Sequence, residues 1–432
     1  MNAQKKILII TYYWPPAGGP GVQRWLKFAK YLPEYGWEPV IYTPENPSYP
    51  LTDESLMKDV PEGIEIVKTK IWEPYQLAEK LNKSNKKFKA GQFDVGKNQS
   101  WKSRLSIWVR GNFFIPDARV FWVKPSVKFL EKYLKENKID VVVTSGPPHS
   151  LHLIGLNLKK QLPDLKWIAD FRDPWTEISY YKHLKLTGRS DKKHRKLESE
   201  VFKNADITLA TSYTDAENFR KNGANAVCIT NGFDETDARV KSSDASATEE
   251  KFTLSYIGVL EQLRNPENLW QALNDLVETN PEFATNFMLK FAGRIDDKIL
   301  HALENSPLKS HISNLGYLSH DKAVEEMEKS SLLIITNFPN DTSKGIIPGK
   351  IFEYLATGKQ IISFGPREAD VSTILNETKA GKHFSYHDAE TVKAFILEEF
   401  QLWKNGGLTK NSQDIAQFSR RNLTKQLAAV LE

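Results

Sequence analysis

The sequence predicts an α/β protein built from two parallel-sheet domains. Three observations predict this class. Residues 6–32 run from a hydrophobic strand through a Gly/Pro loop into an amphipathic helix; strands and helices alternate through most of the remaining chain; and a polar stretch at 241–251, without hydrophobic periodicity, separates two such series. At 432 residues, with 40% hydrophobic and 26% charged side chains, the chain is long enough for two ordinary globular cores.

The first unit explains itself residue by residue. Residues 7–10 are an apolar run rich in β-branched side chains, as a strand buried on both faces requires. Val22, Trp25, Leu26, Ala29 and Leu32 recur at helical spacing, and Gly36 stops the helix. Between strand and helix, Gly18, Gly19 and Gly21 remove side chains where a ligand would meet backbone N–H groups at the positive end of a helix. Such a loop suits a phosphate, a glycine-rich tight turn being the alternative. Its G-G-x-G spacing is not the dinucleotide fingerprint, and the next strand, 39–43, ends at Thr43 and Pro44 where a ribose-binding carboxylate would stand. A G-x-x-x-x-G-K-[ST] segment is absent, which argues against a nucleoside triphosphatase. A nucleotide-linked or phosphorylated small molecule remains.

Further strands are expected at 139–145, 166–171, 207–211 and 226–230, with helices near 151–160, 192–204 and 214–222. They complete a domain over residues 1–238, with a basic insertion at about 79–124 and a linker at 239–251. The second domain, 252–411, repeats the architecture with strands at 253–257, 287–292, 312–315, 332–336 and 360–364. Its helices include 266–278, with proline in the first turn, and 321–329, capped by Ser319. A last amphipathic segment, 412–432, either finishes this domain or crosses back to the first. Two Rossmann-like domains facing a central cleft would put function in the loops that follow strands.

Composition excludes several classes. No run approaches the 18 apolar residues of a membrane span, and only four apolar residues stand between Lys6 and Thr11, too few for a signal-peptide core. A cytoplasmic protein is expected. The single cysteine, Cys228, rules out an internal disulfide, argues against a Cys-based metal site, and reads as core filler.

The ordered set GGPGVQR, TSGPPHS, DFRDPW, NGFD, YIG, AGR, NLGYLS and GKIFEYLATGKQII resembles glycosyltransferase family 4, whose members have the GT-B architecture, and it covers nearly the whole chain. The resemblance implies retaining transfer of a sugar from a nucleotide donor without a metal or other cofactor, in surface polysaccharide or glycoconjugate synthesis. It implies an acceptor received mainly by the first domain and a nucleotide-sugar donor held mainly by the second; a glycan or polyprenyl-linked acceptor is expected. The absence of any D-x-D pair fits a metal-free enzyme, in which cations and backbone dipoles must meet the charge on the departing diphosphate.

The resemblance also assigns site residues. Arg264, after YIG, and Lys344 or Lys350, before the FEYLA helix, are the cations chosen for the diphosphate. Arg264 takes a lysine position of the family, because Gly258 is followed by Val259 and Leu260 where an arginine is usual; a solvated surface arginine is the alternative. Glu353 matches the second of two family glutamates and would bind the ribose hydroxyls, whereas Gly345 stands in place of the first. The backbone around Gly345 and Ile346 would approach the donor. His149 follows a strand and a Gly-Pro-Pro turn at a helix N-terminus, where a neutral imidazole is favoured, and by resemblance it would contact the donor sugar or help orient the reacting groups; His152 is the structural alternative one turn on. In DFRDPW, Asp170, Arg172 and Asp173 would bind a polar acceptor or position the opposite wall, and Trp175 would offer a sugar-stacking ring, unless an internal Arg–Asp pair merely fixes the loop.

From 79 to 110 the chain carries nine Lys or Arg against two acids, followed by Phe113 and Phe114, with Trp108 among them. With no nucleic-acid motif elsewhere, an anionic membrane surface is the expected partner and the inner face of the plasma membrane the expected place; a solvated insertion is the alternative. A GT-B sugar-nucleotide epimerase and a catalytically silent nucleotide-sugar-binding partner are the competing functions.

Overall fold

A computed structural model describes residues 5–74, 101–178, 181–235, 250–407 and 414–432. The chain divides into two compact units, Met1–Asn231 with Arg420–Glu432, and Gly232–Ser419.

The first unit holds β1 (Lys5–Ile10), β2 (Trp37–Pro44), β3 (Glu65–Thr69), β4 (Val141–Gly146), β5 (Lys166–Phe171), β6 (Ile207–Ala210) and β7 (Ala226–Cys228). They form one parallel sheet in the order β3-β2-β1-β4-β5-β6-β7. Alternate residues of β1 serve opposite cores: Leu8 and Ile10 join Trp122, Leu130 and Ile154 on one face, while Ile7 and Ile9 join Trp25, Leu26 and Leu427 on the other. Both faces are therefore covered, which is why the strand reads as an unbroken apolar run. Cys228 packs at the margin of the first of these cores.

The second unit holds β8 (Phe252–Ile257), β9 (Phe287–Ala292), β10 (Ile312–Asn314), β11 (Leu332–Thr336), β12 (Gln360–Phe364) and β13 (Gly381–Phe384). The order is β10-β9-β8-β11-β12-β13, again parallel throughout. Each sheet thus reverses its winding once, between β1 and β4 and between β8 and β11. In open α/β sheets ligands bind beyond the carboxyl ends of the strands at that reversal.

Several elements differ from expectation. The helices Trp101–Phe113 and Val120–Asn137 occupy the later part of the basic insertion, and residues 79–100 of it lie outside the described residues. The division between units falls after Asn231, ahead of the polar segment, because Phe233 already bridges to Ser419 within the second unit; residues 239–249 of the linker lie outside the described residues. The helix Arg420–Leu431 belongs to the first unit, where it packs on the helix Pro20–Tyr31. Ser319 stands at the N-cap of the helix His320–Lys329, but its side chain makes no capping hydrogen bond. Among the described residues no helix is long and apolar enough to cross a membrane.

Candidate functional site

In the second unit the motif glycines are stitched together at the strand ends. The N–H of Gly258 donates to Ala292 O at 2.7 Å, and that of Gly293 donates to Gly316 O at 2.7 Å. Gly258 and Gly293 have φ of 123° and 122°, and a Cβ at Gly293 would lie 2.2 Å from Gly258 O. Only glycine permits this approach. Gly258, expected among the donor-binding residues, spends its N–H inside the sheet, so what it offers a donor is space.

Lys350 fills the edge of that space. It opens the helix Lys350–Thr357, and its Nζ donates to Ile257 O at 2.8 Å, lies 4.3 Å from the centre of the Tyr256 ring and would stand 3.1 Å from a Cβ on Gly258. Desolvation and the nearby Arg264 charge, opposed by Glu353, bring its pKa from the ordinary 10.5 down to about 7. Arg264 bends back over the same loop, with Nη2 donating to Val259 O at 2.7 Å and the guanidinium 5.8 Å from the Phe338 ring. Its own carbonyl accepts from Tyr386 Oη, which also donates to Asn337 O. Arg264 is therefore built into the loop by both its ends, with Glu261 at 3.6 Å as its partner acid. Glu353 lies exposed in the first turn of the Lys350 helix.

The loop after β11 departs from expectation in detail. The N–H groups of Lys344 and Ile346 donate to Asp341 O and Ser343 O, so neither is aimed at a ligand, and Ile346 O accepts from Asn337 Nδ2 at 2.8 Å. The Ile346 side chain is 41% exposed. Lys344 pairs with Asp341 at 3.5 Å and Glu368 at 3.8 Å, whereas Lys350 and Arg264 share the end of β8. Gly345 stands between these bonded neighbours, half-buried.

In the first unit His149 is 7% exposed, stacks on Trp175 at 5.1 Å and 6°, and has no hydrogen-bond partner at either ring nitrogen. Burial, then the charges of His152, Arg172 and His194, hold its pKa well below the usual 6.5, so the ring is neutral. His152 donates to or accepts from Thr144 Oγ1 at 2.9 Å, stacks on Phe171 at 4.2 Å, and is pushed by burial down to about 3: it is the structural histidine. The helix N-terminus at His149 is already met by Asp117, which accepts from Ser150 N at 2.9 Å and Ser150 Oγ at 2.8 Å.

The side chains of DFRDPW are divided between the interior and the surface. Asp170 is buried and paired with Arg24 at 3.0 Å, and it also accepts from Trp25 Nε1 at 2.7 Å and Ser145 Oγ at 3.0 Å. It does not face an acceptor. Trp175 is 3% exposed, with its ring against His149 and its Nε1 donating to His194 Nδ1, so it offers no open face to a sugar. Arg172 donates to Pro147 O and stands 5.7 Å from the Tyr13 ring, occupying the room that Gly21 leaves empty: a Cβ there would lie 2.2 Å from Arg172 Nη1. Asp173 is exposed. In the glycine loop, the N–H of Gly18 donates to Leu51 O at 2.9 Å and is unavailable to a phosphate, while Gly19 caps the Pro20 helix with φ of 95°. Sequence reasoning missed Arg24 and Asp117. An arginine between Val22 and Trp25, on a helix whose apolar face is buried, was the available signal for Arg24.

Two doubly wound parallel units, with cations and glycines gathered at the strand reversal of the second, have the GT-B fold. Solved structures share it over nearly the full length. Anabaena HepE, solved in complex with UDP-glucose, matches at 14% identity and TM-score 0.58 over 99% of both chains. Thermosynechococcus elongatus sucrose-phosphate synthase matches at 13% and 0.55 over 99% of this chain and 98% of its own. Staphylococcus aureus TarM, as a mutant solved with Fondaparinux, alpha-GlcNAc-glycerol and UDP, matches at 10% and 0.59 over 99% of this chain and 100% of its own. No protein-family model and no curated protein sequence matches the chain.

Proposed function

We propose that this chain is a glycosyltransferase that moves a sugar from a nucleotide-diphosphate donor, bound at the β8/β11 reversal of the second unit, to an acceptor received by the first. The observation that carries the reading is the convergence of Lys350 and Arg264 on the end of β8, with Glu353 exposed in the same helical turn as Lys350. Two cations suit a leaving diphosphate and a carboxylate suits ribose hydroxyls. Similarity to folds solved with UDP-glucose and UDP supports the same class of donor.

The finer reading rests on the resemblance of the motif set: reaction with retention, without a metal ion, on a glycan or polyprenyl-linked acceptor at the inner face of the plasma membrane, in polysaccharide or glycoconjugate synthesis. His149, neutral and unbonded at both ring nitrogens, is the proposed orienting group of the first unit, with Arg172 and Asp173 beside the acceptor. Purified protein incubated with a panel of nucleotide sugars, with and without glycan and polyprenyl-phosphate acceptors, tests this. A glycosylated product supports it. An interconverted donor would make the chain an epimerase, and binding without turnover would make it a silent donor-binding partner.

A further inference from the structure

The first unit carries an aromatic face that its fold does not bury. Phe113 is 67% exposed, and Trp72, Leu105 and Phe121 are between 45% and 50% exposed. The rings touch one another: Trp108 lies 5.6 Å from Phe113, Phe114 lies 5.9 Å from Phe121, and Trp72 lies 4.8 Å from Phe121. The two groups meet in the chain at Phe113 and Phe114, at the end of the helix Trp101–Phe113 and just before the helix Val120–Asn137. Contiguous exposed rings of this kind mark an interaction surface, since scattered ones would need no explanation.

The charge along residues 101–130 is almost all of one sign. Residues 101–130 contain six Lys or Arg and a single acid, Asp117. Asp117 is turned inward onto Ser150, and the nearby Glu73 is buried against Arg119 at 3.0 Å and Tyr12 at 2.9 Å. The exposed Arg104 and Lys124 thus flank the rings with no outward carboxylate among these neighbours. A second copy docked through the same face would set these cations against their own counterparts. Phe and Trp rings bordered by cations match the boundary between acyl chains and anionic headgroups.

We propose that this face docks the protein on an anionic lipid surface, with the rings entering the headgroup–acyl boundary and Arg104 and Lys124 pairing with lipid phosphates. The proposal rests on the membrane location given under the proposed function and supplies its contact residues; the surface lies in the first unit and the donor site in the second, so failure of one leaves the other testable.

The test is flotation of the full chain with phosphatidylcholine vesicles prepared with and without phosphatidylglycerol, at low and high salt. Binding is expected only with the anionic lipid, and it should weaken as salt rises. Phe113→Ser and Phe121→Ser, both at exposed positions, should each lower the partition coefficient roughly tenfold, and Arg104→Glu with Lys124→Glu should abolish salt-sensitive binding. Circular dichroism confirms that the variants are folded. Quenching of Trp108 fluorescence by brominated lipid, scored against Trp108→Phe, gives a second readout that does not depend on those variants. Absence of vesicle binding, equal binding to neutral vesicles, or binding indifferent to the ring substitutions would overturn the proposal, as would a dimer that the same substitutions dissolve. Binding of UDP to the soluble protein, measured in parallel, reports on the donor site alone.

Discussion

Lys350 and Arg264 sit on one strand end but are held differently, and that difference sets what their loss should do. Arg264 is fixed by Val259 O and by the Tyr386 contact on its own carbonyl, so Arg264→Ala removes a charge from a loop that Tyr256 and Tyr386 still support. Lys350→Met keeps the stem and removes the ammonium. Each should reduce turnover more than donor affinity, because the diphosphate gains charge as it leaves, whereas Glu353→Gln should chiefly weaken donor binding. Losses of about 1.5–3 kcal/mol per charged hydrogen bond correspond to roughly ten- to hundredfold. Lys344→Ala should have the smallest effect, since Asp341 and Glu368 already engage that ammonium. Initial rates and donor titrations on folded variants decide the order, and wild-type behaviour of the first three would place the donor elsewhere.

The same lysine predicts a pH dependence with a definite sign. With its pKa brought down to about 7, Lys350 is largely neutral at pH 8.5 and charged at pH 6. A diphosphate binds the charged form better, so affinity for a UDP-sugar should rise as pH falls through 7. The UDP-sugar is the right probe because its doubly esterified diphosphate does not titrate in that range. Calorimetry across this window should show the rise in wild type and a flat profile in Lys350→Met; a flat wild-type profile would show that Lys350 does not meet the diphosphate.

At the scale of elements, the strands were legible because burial on both faces writes itself as apolar runs, as in 7–10 and 332–336. The helix Val120–Asn137 was not: it contains Pro125, and its exposed Phe121 and Phe129 blur the apolar stripe that its buried Trp122, Val127, Leu130 and Leu134 would otherwise make. The glycine motifs were legible as places, but the N–H of Gly18 was misread as open to a phosphate. Gly18 and Gly258 spend their N–H groups on neighbouring strands and loops, a pairing that depends on residues far away in sequence. DFRDPW was ambiguous for the same reason, since the partner of Asp170 is 146 residues distant. Arg24 ties the Pro20 helix to the end of β5 and also donates to Ile229 O and Thr230 O, so three elements meet on one guanidinium. Arg24→Met should therefore destabilise the first unit by about 3–5 kcal/mol, as expected when a buried pair loses one member. Arg24→Lys should recover little of this, because an ammonium cannot reproduce the fork. Denaturant midpoints measure both; a change within 1 kcal/mol, on the order of a surface substitution, would mean that the pair is not holding these elements.

At the scale of the molecule, the chain begins and ends in the same unit. The sequence left open where the last helix docks, since its apolar stripe fits either core; the structure gives it to the first. Leu423, Leu427, Ala428 and Leu431 join Trp25, Leu26 and Phe28 in one cluster, Arg421 pairs with Glu34 at 3.0 Å, and Tyr35 Oη donates to Arg421 O at 3.1 Å. The helix that carries Arg24 is thus braced from behind by the C-terminal one. Leu427 is fully buried, so Leu427→Ala should cost about 2–5 kcal/mol, the range for a leucine lost from a packed core. That loss belongs to the first unit, whereas Lys350, Arg264 and Glu353 belong to the second. Thermal unfolding of the variant should show a lowered transition, while UDP binding below that transition should remain near wild type. Loss of UDP affinity in the folded variant would instead show that the donor site depends on the first-unit core, and an unchanged transition would show that the last helix is not part of that core.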